Sequence, residues 1–341
     1  MREIKSIAGK HLTLSEAGVL ERIASSVALA GIRNSGLRLA LGDDAALFKG
    51  SSGSDQILTC DWFLEGTHFL RGGHPPDAVG WKCLARAVSD VAAMGGVPRC
   101  FLLSLALPGT RTGSWLDQFL RGLRRAAKRF GCMLAGGDTT ERQSIAINVM
   151  VVGEVRSGWA VLRSRARPGD IVFVSGRLGE AELGLRLLEM GKGRLNSRAP
   201  LLRKHLYPEP RLRMGHWLAA NHLVSAMMDL SDGLSADLPR LCAASGVGAR
   251  IEMSKIPAVR VPKSLATRGG DSLNLAVHGG DDYELLFTVP QRKWKRIPRS
   301  FEGIPMTAMG EITKERTLLL VDAALSEVPL RNCGWDPFRC R

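Results

Sequence analysis

The sequence predicts an α/β protein with mixed α+β sheets, and three observations predict it. Short aliphatic runs alternate with longer amphipathic segments along most of the chain. Clusters of Gly, Pro and Asp bound those runs, as they bound strands and helices generally. Six apolar segments run directly into aspartates: LALGDD at Asp44, ILTCD at Asp61, AVSD at Asp90, LAGGDTT at Asp138, MMDLSD at Asp232 and AVHGGDD at Asp282. The 341 residues suffice for two ordinary domains, with a boundary expected near Val155 that gives 1–155 and 156–341.

Taken in order, the elements follow from local chemistry. A helix is expected near Thr13, where Thr and Glu16 have the spacing of a capping box. QILTC is a strand. The Pro75–Pro76 pair stops the chain, and Asp77 is placed to cap a long helix that runs through Met94. RCFLLSLAL is a strand, and GSWLDQFLRGLRRAAKRFG is a helix ending at Gly131. CMLAG and SIAINVMVVGEV are strands, with the Gly-rich acid-bearing turn GGDTT after the first. RSRARPGD is a basic turn. DIVFVSG restarts the pattern as a strand, and helices follow over GEAELGLRLLEMG and PRLRMGHWLAANH. VSAMMDL is a strand and DGLSADLPRLCAASG a helix. YELLFTV is expected to close the ordered part. There is no internal repeat, low-complexity tract or long linker.

Composition narrows the function. No apolar stretch reaches the roughly 20 residues of a membrane span, and the N-terminus lacks a secretory h-region, so a cytoplasmic protein is expected. The seven Cys are scattered without a CxxC, which reads as buried thiols in a reducing compartment. The net charge of +14 favours anionic partners such as nucleotides or phosphorylated metabolites. Arg121 to Phe130 places its bases on one helical face, which reads as a solvated surface, making a nucleic-acid partner a remote expectation.

The acids imply a metal. One such Asp is ordinarily a cap or turn residue. Several gathered at one end of a sheet would repel each other, and divalent cations cancel that repulsion. Hard oxygen ligands suit Mg²⁺, which keeps waters and binds substrate phosphates. In MMDLSDGLSADL, Asp229 and Asp232 stand three residues apart at a strand-to-helix turn, with Ser231 between them and Gly233 leaving room for a phosphate. A P-loop, a clean GxGxxG, HExxH and a Ser–His–Asp set are all absent. No catalytic acid or base is assigned.

At these residues the chain resembles the thiamine-monophosphate kinase family, within the superfamily of aminoimidazole-ribonucleotide synthetase and selenophosphate synthetase. The matching motifs are LGDDAAL, TCDWFLEGTHF, SDVAAMGGVP, GGDTT, LRSRARPGD, MDLSDGLSADL and GGDDYELLFTV, in the family's order. The resemblance implies a two-domain aminoimidazole-ribonucleotide-synthetase-like fold and a homodimer whose N-terminal sheets pair across the interface. It implies transfer of the γ-phosphoryl group of ATP to thiamine monophosphate. It matches Asp44, Thr59, Cys60, Asp61, Asp90, Asp138, Asp229 and Asp232 to ligands of several Mg²⁺ ions. Gly137, Arg163 and Ser231 match ATP contacts, and His68, Asp281 and Trp335 match substrate contacts. A phosphate acceptor is already ionised at neutral pH, which agrees with the lack of a catalytic His. The indole of Trp335 would hold the thiazolium cation by attraction of ~0.5–2 kcal/mol.

The chain departs from the family in three places: Cys60 replaces a hydroxyl residue, Asp281 a Glu, and Glu141 an Arg. Two other readings stay open. One is a sister ATP-dependent enzyme acting on another small phosphorylated substrate. The other is an inactive binding paralogue.

Overall fold

The computed structural model describes residues 37–39, 43–50, 53–190, 200–261 and 272–338. The helix expected near Thr13 lies outside them. Two sheets divide the described chain. The first contains β1 (Leu37–Leu39), β2 (Ala46–Lys49), β3 (Ser54–Leu64), β4 (Val97–Leu107), β5 (Met133–Glu141) and β6 (Ala146–Arg156), in the order β1-β2-β3-β6-β4-β5. β3 and β4 flank β6 antiparallel, and β5 joins β4 in parallel.

Two helices cover one face of this sheet: α1 (Pro76–Ala93) and α2 (Ser114–Phe130). Pro76 opens α1, where a missing N–H costs nothing. The two helices touch through glycines. A Cβ on Gly80 would lie 2.0 Å from the Phe119 carbonyl oxygen, and one on Gly122 would lie 1.8 Å from that of Asp77. Ile57, Phe63, Phe101, Ile147, Val149 and Val151 fill the core beneath them. α2 ends as expected at Gly131, in the left-handed region. Its basic face is solvated as the sequence indicates, with Arg125 paired to Asp77 and Arg129 to Glu209.

The other face of the first sheet carries Cys60, Trp62 and Leu102 in the open. Register places Asp138 on this face too, in one row with Ser104, Asn148 and Trp62.

The second sheet follows the order β14-β13-β9-β12-β7-β10-β8. Its strands are β7 (Ile171–Ser175), β8 (Ala226–Asp229), β9 (Gly248–Glu252), β10 (Leu285–Val289), β12 (Ile304–Thr313), β13 (Leu318–Val321) and β14 (Glu327–Pro329), with β11 (Ser300–Phe301) paired to β12. Helices α3 (Glu180–Glu189), α4 (Pro200–Leu206), α5 (Leu212–Ala220), α6 (Leu234–Ser245) and α7 (Ser272–His278) accompany it. Met227, Phe173 and Phe287 pack with Ala92 and Ala93 of α1, so that helix serves both sheets.

Four expectations need correction. Asp77 does not cap α1. Pro75 holds that position, and the Asp77 carboxylate accepts bonds from Arg125 (3.0 Å) and the Tyr207 hydroxyl (3.0 Å). GGDTT is not a turn. It continues β5, and Gly137 lies so close to β4 that a Cβ would meet the Leu103 carbonyl oxygen at 1.9 Å. YELLFTV does not end the ordered chain, because β11 to β14 follow it. Finally, only Cys83, Cys132 and Cys242 are buried among the described thiols, whereas Cys60 and Cys333 are exposed.

Candidate active site

Three carboxylates meet where α1, β8 and the turn before β2 converge. One oxygen each from Asp44, Asp90 and Asp229 lies within 4.8 Å of the others. Asp90 sits on the last turn of α1 and Asp229 ends β8. Burial raises the Asp90 carboxyl well above the usual range, and the neighbouring Asp61, Asp229 and Asp44 raise it further. Burial does the same to Asp229, with Asp44 adding to it. Crowded, desolvated oxygens of this kind fit a hard divalent cation, whose charge offsets both burdens.

The partners of these acids are equally specific. Thr59 donates its hydroxyl hydrogen to Asp90 Oδ2. Arg163 donates from Nε to Asp44 Oδ2 at 3.0 Å and from Nη2 to Oδ1, while its backbone N–H reaches Asp43 Oδ2 at 2.9 Å. Burial beside Asp44 raises the Asp43 carboxyl to about 6. Asp43 was not singled out from the sequence, although it stands in the same LGDDAAL stretch.

Strand alternation sorts the residues of β3. Thr59 and Asp61 point to the helix-covered side, opposite Val151 and Val149 of β6. Cys60 points to the exposed side, and its Sγ lies 3.4 Å from Asn148 Oδ1. The thiol therefore does not join the carboxylates. Asp138 is also apart, exposed on β5, with its carboxylate accepting the Thr139 N–H. Its neighbour Gly137 shares that strand.

Asp61 leads from this group to a second one. Burial raises its carboxyl, Arg86 counters that, and Asp232 and Asp281 add to it. Asp232 has partners of its own. Arg240 Nη1 binds its carboxylate, and its N–H donates to Asp237 at 3.0 Å. The loop around it forms a hub. The Ser231 carbonyl accepts the Asp281 N–H at 2.7 Å, and the Asp232 carbonyl accepts the Trp335 N–H at 3.0 Å.

Asp281 and Tyr283 both have positive φ, at 66° and 49°, an uncommon conformation for side chains of their size. The turn aims Asp281 at α1. Its Oδ2 accepts from Lys82 Nζ at 2.8 Å, and its Oδ1 from the Tyr283 hydroxyl at 2.7 Å and Arg86 Nη1 at 3.3 Å. Burial works against the charged form, but Lys82 and Arg86 outweigh it and hold the carboxyl well below the usual range. His68 stands across from Trp335, ring centroids 6.4 Å apart. Burial, aided by Arg86, lowers its imidazole to about 4, so it is neutral at pH 7. Its Nδ1 accepts the Leu64 N–H at 3.0 Å, which leaves the proton on Nε2 as a donor.

Lys82 and Arg86, like Asp43, are residues that sequence reasoning missed. The available signal was WKCLARAVSD, where Lys82, Arg86 and Asp90 recur at helical spacing inside an otherwise apolar helix.

Comparison with known proteins places the chain in a family. The chain matches the family models described as AIR synthase related protein, N-terminal domain, over residues 42–155, and AIR synthase related protein, C-terminal domain, over residues 167–324. Thiamine-monophosphate kinase of Bacillus subtilis is 34% identical over 317 residues, covering 90% of this chain and 96% of that one. The enzyme of the same name from Aquifex aeolicus is 38% identical over 300 residues, covering 87% and 92%. A solved structure described as AaThiL complexed with AMPPCP and TMP superposes with a TM-score of 0.82 at 33% identity, over 97% of this chain and 99% of that one. On identity, coverage and fold together, the chain belongs to the AIR synthase related proteins and, within them, to the thiamine-monophosphate kinase family.

Proposed function

We propose that this chain transfers the γ-phosphoryl group of ATP to the phosphate of thiamine monophosphate, giving thiamine diphosphate and ADP. The observation that carries the reading is the meeting of Asp44, Asp90 and Asp229 within 4.8 Å, in a chain of this family. A divalent cation held by such carboxylates neutralises phosphate charge and orients the phosphates for in-line attack. We assign Mg²⁺ to this site, with Asp61 and Thr59 beside it and Asp232 nearby. Arg163 and Ser231 serve ATP. His68, Asp281 and Trp335 serve thiamine monophosphate, with the His68 Nε2–H as a neutral donor and the indole facing the thiazolium.

The acceptor oxygen is ionised at neutral pH, so the protein need not remove a proton. Its residues bind, orient and exclude water. Asp138 lies on β5 at the exposed face of the first sheet, with Gly137 beside it in the strand. We assign that face to a second copy of the chain, because Trp62 and Leu102 leave apolar surface open there. Under this reading Asp138 and Gly137 act at the subunit boundary, with Cys60 contributing only backbone oxygen to metal. The division into domains 1–155 and 156–341 belongs to the same proposal, since the two sheets take their strands from either side of Arg156. No described helix is long and apolar enough to cross a membrane, and we place the enzyme in the cytoplasm.

The test is ADP formation with Mg-ATP, with and without thiamine monophosphate, and identification of the product by mass. Thiamine diphosphate is expected, and Asp61→Asn should abolish it. Binding of Mg-ATP without turnover of thiamine monophosphate would instead point to a sister enzyme with another phosphorylated substrate.

A further inference from the structure

Helix α1 turns one stripe of polar side chains towards the site. Lys82, Arg86 and Asp90 follow each other at intervals of one helical turn, a stripe of about 12 Å. Asp90 belongs to the carboxylate group and Lys82 is buried against Asp281. Arg86 stands between them. Asp61, Asp232 and Asp281 all act on its charge, so it lies where the metal-side acids and the substrate-side acid approach each other.

Its hydrogen bonding is incomplete. Asp281 already accepts short bonds, from Lys82 at 2.8 Å on one oxygen and Tyr283 at 2.7 Å on the other. The Arg86 bond to Asp281 is the long one, at 3.3 Å. Arg86 Nε is buried without a hydrogen-bond partner among the described residues. A guanidinium has five N–H donors in a rigid fork, and leaving one buried and unpaired is costly. The fork is also held in place: its Cζ lies 5.5 Å from the Phe63 ring centroid and 6.0 Å from that of Tyr283. A fixed, charged and under-bonded fork of this kind matches two oxygens of a phosphate.

We propose that Arg86 is a further catalytic residue, whose free guanidinium donors grip the phosphate of thiamine monophosphate and present it to ATP. The assignment rests on the function proposed above. Arg163, bound to Asp44, is the cation on the ATP side, whereas Arg86 adjoins His68 and Asp281 on the acceptor side. In the transfer an oxygen of the acceptor phosphate forms a bond to the γ-phosphorus, and the bond from that phosphorus to the β–γ bridging oxygen breaks. The electron pair leaves on ADP. Arg86 moves no proton. It steadies the attacking group and the charge on its remaining oxygens.

Binding of thiamine monophosphate and of thiamine, which lacks the phosphate, separates this role from a structural one. Both are titrated calorimetrically, with Mg²⁺ present, into the intact protein and into Arg86→Gln and Arg86→Lys. The wild type should prefer the phosphorylated ligand. Arg86→Gln should lose at least tenfold of that preference while its affinity for thiamine holds. Its KM for thiamine monophosphate should rise with the KM for ATP unchanged. Arg86→Lys keeps the charge that the three aspartates require, and so provides a folded variant if the Gln form fails. It should retain part of the preference, since an ammonium lacks the fork. Equal weakening towards both ligands would overturn the proposal and leave Arg86 as a support for Asp281, as would an unchanged preference in both variants. A wild type that binds no thiamine monophosphate would sink the proposed function itself, a result distinct from either.

Discussion

Arg163 holds Asp44 through its guanidinium, with Nε 3.0 Å from Oδ2, while its own backbone N–H holds Asp43 at 2.9 Å. One residue thereby orients the two successive acids of LGDDAAL, and Asp44 reaches the carboxylate group already partnered on one side. Removing the guanidinium strips a buried carboxylate of its partner, a loss typically worth about 3–5 kcal/mol. Arg163→Met should therefore lower the melting temperature sharply in EDTA. Added Mg²⁺ should recover more stability in this variant than in the wild type, because a cation takes over neutralising Asp44. Equal gains from Mg²⁺ in both proteins would separate Arg163 from the metal site.

Buried histidines make the fold sensitive to acid. His205 Nε2 lies 2.9 Å from His74 Nε2, and the Leu70 N–H donates to His74 Nδ1 at 3.1 Å. Burial, with Lys82 adding to it, lowers His74 to about 3 and His205 well below the usual range. Each is neutral when folded but takes a proton near pH 6.5 when unfolded. The unfolded state thus binds more protons below that pH, and this contribution to stability is lost as the pH falls. The full slope is about 1.4 kcal/mol per pH unit for each such group. Urea unfolding between pH 7 and pH 5 should show a shallower pH dependence for His205→Asn than for wild type. Parallel curves would mean that His205 is charged in the folded state.

What the sequence made legible was local. The helix over Ser114–Phe130 and its stop at Gly131 follow from spacing and a residue that accepts positive φ. Asp44, Asp90 and Asp229 were found because each ends an apolar run, and tertiary structure brings them together. GGDTT was misread because two glycines suggest a turn. In β5 Gly137 instead lets the strand lie flush on β4, which no local rule reveals. Strands β11 to β14 were missed because β11, β13 and β14 are only 2, 4 and 3 residues long and β12 is interrupted by Pro305 and Gly310, so their pairing and not their composition defines them. Lys82 and Arg86 were passed over because their partner Asp281 lies 199 and 195 residues away.

The contact of α1 with α2 leaves no room for a methyl group. An alanine at Gly80 would set its Cβ 2.0 Å from the Phe119 carbonyl oxygen, a backbone atom that cannot swing aside. The helices would have to separate over a core that includes Leu84, Phe119 and Leu123. Gly80→Ala should destabilise the protein by about 1–3 kcal/mol, even though alanine is the better helix former. A Gly80→Ala melting temperature at or above that of wild type would show that the helices pack less closely than described.

The exposed face of the first sheet makes the last prediction. Trp62 is 56% exposed and Leu102 40% exposed on the side away from α1 and α2. Cys60, Met150 and Leu102 form one row there, and Trp62, Asn148, Ser104 and Asp138 the next. A tryptophan left in water on a sheet face is surface awaiting a partner, and a symmetric dimer satisfies it with the same patch twice. A charge placed in the row should be buried without a counter-ion in such a dimer. Leu102→Glu should therefore elute as a monomer where the wild type elutes as a dimer, with light scattering giving the mass. Its far-UV circular dichroism should stay unchanged, since Leu102 packs against neither helix. A wild type that is monomeric at micromolar concentration would reject the dimer. A dimer unmoved by both Leu102→Glu and Trp62→Glu would place the interface on another face.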